Sequence, residues 1–203
     1  KTGEELADQI LEKDKNNFEA LQIKISSMVA AQKWSQAYKA SSELIKKENI
    51  PRSAIFTHIK ICLSANKKDE AWQYASGLYA VDSTDEDVRQ SYIDVLVSTS
   101  RNQEALRLIN QLIPNSAARM KSFLYYERSF LANTEAEILA DLRSSLTANP
   151  RNKDSLFRLY KIYFNKKDYR KAQYYLKQVV ALSPNDESLR VLNQNLEDLL
   201  KRN

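Results

Sequence analysis

Residues 153–184 read KDSLFRLYKIYFNKKDYRKAQYYLKQVVALSP, a pattern of two short amphipathic helices joined by a polar turn. Apolar residues recur three and four positions apart, so each helix has one stripe that can be buried against the other. These apolar positions are Leu156, Leu159, Tyr163, Leu176, Val179 and Val180. Ala172 is small enough to let the two helices approach closely, and Pro184 ends the second helix. The stretch therefore predicts a helix–turn–helix unit.

The unit is repeated along the chain. Ala37, Ala71 and Ala105 are 34 residues apart each time, and Pro150 and Pro184 are also separated by 34 residues. Such a period predicts helix pairs that bury their apolar faces only by stacking on neighbours. The predicted organisation is the second half of a truncated repeat at 1–17, five units at 18–51, 52–85, 86–119, 120–152 and 153–186, and a capping helix at 187–203.

The fourth unit is one residue shorter than the others. Its apolar positions keep their spacing to the units on either side, but the distance from Phe130 to Ile138 is 8 residues where Met28 to Ala37 is 9. We therefore place the deletion in the turn Asn133-Thr134. In this register Phe130 is a core position.

The period and the pattern of 153–186 resemble the tetratricopeptide repeat. The resemblance implies an all-α, right-handed superhelical solenoid of antiparallel helix pairs that binds a peptide or partner protein in its concave groove. Position 8 of each unit, often small in that family, is large here, which indicates a diverged member. The residues at that position are Ile25, Ile59, Ile93, Glu127 and Tyr160. The family's two-carboxylate clamp is absent, because its lysine and asparagine positions hold Gln22, Ser26, Phe56, Lys60, Gln90 and Asp94.

The composition excludes several classes of protein. Gly3 and Gly77 are the two glycines, too few for a phosphate-binding loop. No apolar run reaches the roughly 18 residues of a membrane span. The single Cys62 forms no internal disulfide, so the compartment stays open between cytoplasm and periplasm. The chain begins at Lys1 inside a predicted helix, which indicates that a repeat, signal sequence or lipid-anchored leader preceded it, and its lysine and asparagine usage suggests a bacterial source.

If the register holds, the concave face combines aromatic and cationic residues, a composition that suits a peptide with carboxylate groups. Leu124 also falls on this face. The candidate partner-binding residues are Phe56, Lys60, Tyr125, Arg128, Phe157, Arg158, Lys161 and Phe164. The alternative is that Phe157 and Phe164 pack between neighbouring helices and never meet a ligand.

Positive charge is concentrated at the C-terminal end. Residues 150–203 hold 12 Lys plus Arg and 6 Asp plus Glu, whereas residues 1–149 hold 19 and 20. A basic end favours acidic peptides, phosphate-bearing polymers or an anionic membrane surface, but it is also typical of a solvated edge. Nucleic-acid binding is disfavoured, because the cations are confined to one end. The first alternative to a peptide-binding scaffold is an assembly or envelope factor that docks by its edges in a larger complex, and the second is nucleic-acid binding through the basic C-terminal end.

Catalytic and metal sites receive little support. His58 and Cys62 stand four apart on one helix face, but both fall on core positions and the sequence offers no third ligand beside them. The acidic run that contains Asp82, Asp85, Glu86 and Asp87 lies at a repeat junction and lacks the glycine of a calcium-binding loop. We expect helix capping there. The sequence thus predicts no enzyme activity, no metal and no cofactor.

Overall fold

The computed structural model describes residues 3–202. They form twelve α-helices and a short 3₁₀ segment, Ile113–Asn115, and this part of the chain contains no β-strand. The helices are α1 (Gly3–Lys13), α2 (Phe18–Ala30), α3 (Trp34–Leu44), α4 (Arg52–Ser64), α5 (Lys68–Val81), α6 (Glu86–Ser98), α7 (Asn102–Leu112), α8 (Ala118–Leu131), α9 (Glu135–Ala148), α10 (Lys153–Asn165), α11 (Tyr169–Leu182) and α12 (Glu187–Arg202). The predicted all-α class is confirmed for these residues.

The chain divides into two compact units, Lys1–Arg101 and Asn102–Asn203. The division falls inside the predicted repeat 86–119, between its two helices. Within each unit, the helices that pack extensively on one another follow one another in the chain. Local pairing of this kind is what a repeat sequence predicts.

The turns that follow α2, α4, α6 and α10 share one conformation. Each contains a residue in the left-handed region, and none of these residues is glycine. They are Gln32, Asn66, Ser100 and Lys167, with φ between 55° and 62°. The next residue donates its backbone N–H to a carbonyl five positions back in the preceding helix, as Lys67 does to Cys62 at 2.7 Å. This hydrogen bond occupies a carbonyl at the helix end that would otherwise lack a partner.

The turn after α8 is built differently. Ala132 has extended backbone angles, and the turn contains no left-handed residue. Thr134 caps α9 instead, accepting a hydrogen bond from the Glu137 N–H, while the Glu137 carboxylate accepts from the Thr134 N–H. This reciprocal capping begins a helix without the left-handed residue. This reciprocal capping occurs in the turn to which the spacing of the apolar residues assigns the one-residue deletion.

Small and branched residues fill the core of each unit. Ala37, Ala71, Ala105 and Ala172, the alanines of the repeat, are fully buried. In the first unit Ala37 lies in the core with residues such as Ile25, and in the second unit Ala172 packs with residues of α9 to α12. Among the described residues, no helix combines the length and apolar character needed to cross a membrane.

Candidate functional site

Five residues of α8 and α10 in the second unit form two cation–aromatic pairs and include a further exposed ring, and we call them the α10 cluster. It consists of Phe130, Phe157, Arg158, Lys161 and Phe164. Phe130 is 48% exposed and Phe164 is 37% exposed, which is unusual for phenylalanine. The Tyr160 ring links Phe157 and Phe164, with centroid distances of 5.5 and 5.7 Å. The structure thus brings together four of the predicted site residues and adds Phe130.

Arg158 joins the two helices of this cluster. Its guanidinium lies 3.5 Å from the centroid of the Phe130 ring. It also donates hydrogen bonds from Nη1 to Ser129 Oγ at 2.8 Å and from Nη2 to the Ser129 carbonyl at 3.1 Å. Burial lowers the pKa of Arg158, and the negative charge of Glu127 partly offsets this effect. Arg158 therefore holds Phe130 in place and keeps a positive charge beside the exposed rings.

Lys161 and Phe157 form a second cation–aromatic pair. The Lys161 ammonium lies 4.6 Å from the centroid of the Phe157 ring, and its side chain is exposed. Phe157 is half-buried and packs against the core of the second unit. Part of the Phe157 ring therefore packs against the core, as the alternative expectation had it, and Lys161 covers another part of the ring.

Arg128 is oriented away from the cluster. Its Nε lies 3.1 Å from both carboxylate oxygens of Asp141, its Nη2 lies 2.6 Å from Oδ1, and its Nη1 donates to Asn110 at 2.8 Å. These hydrogen bonds from the guanidinium to Asp141 raise the pKa of Arg128. Tyr125, half-buried, lies under the same guanidinium at 5.1 Å. The Asp141 carboxylate, a bidentate partner inside the protein, already compensates the charge of Arg128. The Arg128 guanidinium is therefore poorly suited to pair with a ligand.

Phe56 and Lys60 belong to α4 of the first unit. Phe56 is half-buried, and Lys60 is exposed. A small pocket in the same unit is lined by Gln22, Ile25, Ser26, Ser41, Leu44, Ala54 and Thr57. Neither Phe56 nor Lys60 is part of its wall, so these two residues form a separate candidate surface.

Two positions of α8 differ from the sequence prediction. Leu124, expected on the concave face, is completely buried, and Phe130, expected in the core, is exposed. The buried face of α8 runs through Met120, Leu124 and Glu127, four and then three residues apart. Ser122 and Ser129 are buried on another side of α8, whereas Phe130, three residues after Glu127, is exposed. The shortened turn after α8 is the sequence signal that marked this helix as different.

His58, Cys62 and Glu70 form a polar cluster inside the first unit. His58 and Cys62 have no exposed surface, and the Glu70 side chain is 29% exposed. His58 Nε2 lies 3.2 Å from Cys62 Sγ and 3.2 Å from Glu70 Oε1, and its Nδ1 lies 2.9 Å from Ser41 Oγ. The sequence offered no third group beside His58 and Cys62. The pairing of α4 with α5 brings Glu70 there.

This cluster is not arranged for nucleophilic catalysis. Burial raises the pKa of the Cys62 thiol to about 12, so Cys62 carries its proton at neutral pH. Burial also lowers the pKa of His58, which favours its neutral form. Cys62 and Glu70 both approach the same ring nitrogen, whereas a nucleophile–histidine–carboxylate triad uses one nitrogen for each.

The acidic run at the junction of α5 and α6 caps a helix, as expected for Asp85. The Asp85 side chain accepts a hydrogen bond from the Val88 N–H at 2.9 Å. Asp82 accepts from Thr84, and Arg52 lies 3.4 Å from Asp82 and 3.2 Å from Asp85. These carboxylates are therefore occupied by hydrogen-bond donors and a cation of the same chain.

Many cations of the basic C-terminal end are paired with carboxylates of the second unit. The pairs are Lys166 with Glu135, Lys171 with Asp168, Lys177 with Glu197, Arg190 with Glu187 and Lys201 with Asp198. Lys153 donates to Ser183. Each of these carboxylates competes with a polyanion for the same cation.

Comparison with solved structures identifies the fold. A tetratricopeptide repeat protein from Parabacteroides merdae superposes with a TM-score of 0.74 over 94% of this chain and 75% of that chain, at 16% sequence identity. The Cut9–Hcn1 hetero-tetramer of the APC/C matches with a TM-score of 0.56 over 90% of this chain and 35% of that chain, at 18% identity. No protein-family model and no curated protein sequence matches the chain. The chain has the tetratricopeptide-repeat fold.

Proposed function

We propose that this protein is a non-enzymatic interaction scaffold and that the α10 cluster binds a segment of a partner protein. The observation that carries this proposal is the exposure of Phe130 on α8 and Phe164 on α10, on a surface that also carries Arg158 and Lys161. Exposed aromatic area and arginine are the usual anchors of protein interfaces. A partner segment with apolar side chains and carboxylate groups would match both features.

Each residue has a distinct part in this proposal. Phe164 supplies apolar area, and Lys161 pairs with a carboxylate of the partner. Among the described residues, Lys161 contacts the Phe157 ring rather than a carboxylate, so its charge is uncompensated. Arg158 provides a fixed platform, since Ser129 and Phe130 hold it in one orientation. Fixed side chains lose little conformational entropy when they bind.

The remaining predicted groove residues have secondary parts. We include Phe56 and Lys60 as a separate contact surface of the first unit. Tyr125 and Arg128 serve the second unit by packing and pairing rather than by touching the partner, because Asp141 already holds the Arg128 guanidinium. Nucleic acid is not part of the proposal, because many C-terminal cations are paired with carboxylates.

A peptide array tests this function directly. It should contain peptides with apolar and acidic residues, each with a free and with an amidated C-terminus, and matched peptides in which the acids are replaced by amides. We expect the acidic peptides to bind and Lys161→Ala or Phe164→Ala to weaken the best of them at least about 10-fold, as truncation of an anchor does. A preference for the free C-terminus would identify a terminal carboxylate.

Two variants serve as controls. Lys153→Ala removes another cation of α10, and Tyr174→Ala removes a ring of α11 that is 64% exposed but outside the cluster. Both should bind like the unmodified protein. Equal affinity of all four variants would place binding elsewhere and favour docking by an edge of the molecule.

A further inference from the structure

The polar cluster of the first unit contains two hydrogen-bond acceptors that face each other. Ser41 donates its one hydroxyl hydrogen to the Tyr38 carbonyl at 3.1 Å, so toward His58 Nδ1 it acts as an acceptor. In the tautomer that matches this arrangement, Nδ1 carries the proton of the neutral ring. Nε2 is left with a lone pair, directed at a carboxylate oxygen of Glu70 only 3.2 Å away. In the metal-free protein the protonated Cys62 thiol, 3.2 Å from Nε2, can donate to this lone pair, and a metal ion that displaces the thiol proton would contact Nε2, Sγ and the Glu70 carboxylate together.

Cys62 completes a set of donors that suits a soft divalent metal. Nitrogen, sulfur and oxygen atoms of His58, Cys62 and Glu70 all lie within 4.8 Å of one another. In a tetrahedral zinc site, bond lengths near 2.0 and 2.3 Å place neighbouring ligand atoms about 3.5 Å apart. Nε2 lies 3.2 Å from Sγ and 3.2 Å from Oε1, so these two separations would widen slightly on binding, while Cys62 Sγ and the Glu70 carboxylate, which lie within 4.8 Å of each other, would move closer together.

We propose that His58, Cys62 and Glu70 bind one divalent transition-metal ion, for which Zn²⁺ is the best match. Imidazole and thiolate together favour zinc over calcium or magnesium. Binding forms a metal–sulfur bond and releases the Cys62 thiol proton to solvent. The two charges of the ion are then balanced by the thiolate and the Glu70 carboxylate, so the buried site is neutral.

The residues around the three ligands are those that a metal site requires. A metal-bound histidine donates its second N–H to a neighbour, and here Ser41 accepts it. The second carboxylate oxygen of Glu70 accepts the Tyr38 hydroxyl hydrogen at 2.6 Å. Glu70 also lines a surface pocket with Asp69, Gln73 and Tyr74, so one of the three proposed ligands lies beside solvent.

Cobalt substitution tests the site in the unmodified protein. After chelator treatment, Co²⁺ should bind one per chain and produce a thiolate-to-cobalt absorption band in the near ultraviolet, and Zn²⁺ should displace it. Zn²⁺ should also raise the melting temperature, because a ligand that binds only the folded state stabilises it. A folded protein that binds neither ion, or that binds cobalt without the thiolate band, would overturn the proposal.

Variants then separate this site from adventitious surface binding. Cys62→Ser should abolish the near-ultraviolet band, and Glu70→Gln should weaken Zn²⁺ binding at least about 100-fold, more than the loss of a supporting residue. Ser41→Ala should keep the band and lose about 10- to 100-fold in affinity. Asp69→Asn, which removes a carboxylate of the same pocket, should bind like the unmodified protein. Circular dichroism without metal shows that each variant is folded, and an unchanged affinity in Cys62→Ser would contradict the assignment. The test is independent of peptide binding.

Discussion

Arg128 on α8 and Arg158 on α10 have different interactions, although each lies on the first helix of its predicted repeat. Both fall on the predicted concave face, but Arg128 is paired with Asp141 whereas Arg158 lies against an aromatic ring. The sequence assigned both as anchors for a ligand, because it does not show which acid of the next helix lies within reach. Only Arg158 remains part of the proposed binding surface.

The Arg128–Asp141 pair gives a prediction about stability. Its side chains are 30% and 10% exposed, so Asp141→Asn leaves a guanidinium with little water to replace the lost carboxylate. We expect the free energy of unfolding to fall by about 2 kcal/mol, less than for a fully buried pair. Urea denaturation measures the change. Peptide binding at the α10 cluster should be unaffected.

A double-mutant cycle provides the control for that prediction. Arg128→Gln removes the other charge, and the double variant should be more stable than the sum of the two single losses indicates, because no unpaired charge remains. Strictly additive losses would show that the two side chains do not interact energetically.

At the scale of elements, the turns between paired helices carry backbone strain. Lys167 adopts a φ of 59° after α10, a region that L-residues other than asparagine occupy at a cost. Lys167→Gly should therefore raise the free energy of unfolding by up to about 1 kcal/mol. Thermal and urea denaturation both measure this gain.

The matched control lies in the turn after α8. Asn133 has no left-handed backbone angle, so Asn133→Gly should only add freedom to the unfolded chain and lower stability by about 0.5 kcal/mol. Stabilisation by both substitutions would show that the positive φ of Lys167 is not the cause.

Helix pairing could be predicted from the sequence, because its signals are local. A small residue recurs at Ala37, Ala71 and Ala105 between stripes spaced at helical intervals, and each of these alanines is buried. The face of α8 could not be predicted, since the missing residue in its turn leaves two apolar stripes in competition. The stripe through Leu124 is buried, and Phe130 is displaced to the surface.

The neighbours of His58 could not be predicted from the sequence, for a different reason. Cys62 is its neighbour on the same helix, but Glu70 comes from the next helix and Ser41 from the previous one. Their convergence depends on how three helices rotate against one another. The available signal was the position of Glu70 beside Ala71, where the second helix of the pair approaches the first most closely.

At the scale of the whole molecule, each compact unit has its own core. In the first unit Ala37 lies in a cluster with Ile25 and Ala54, and in the second Ala172 lies with Leu159 and Leu176. The predicted repeat boundaries remain a proposal, but the buried alanines on which they rest are in place. Stability in repeat architectures is a sum of local terms, so damage to one core should be felt mainly nearby.

Ala172→Glu tests this locality. The side chain of Ala172 is fully buried, so glutamate overfills the site and buries a charge without a partner, at a cost of about 3 kcal/mol or more. We expect amide hydrogen exchange, measured by mass spectrometry, to become faster in α10 to α12 and to change little in α2 to α4. Ala181→Glu, on the exposed side of the same helix, should leave both regions as they are. Uniformly faster exchange along the chain would instead mean that the two units unfold as one cooperative body. Unchanged exchange in α10 to α12 would mean that Ala172 does not lie at the close contact between the helices of its pair.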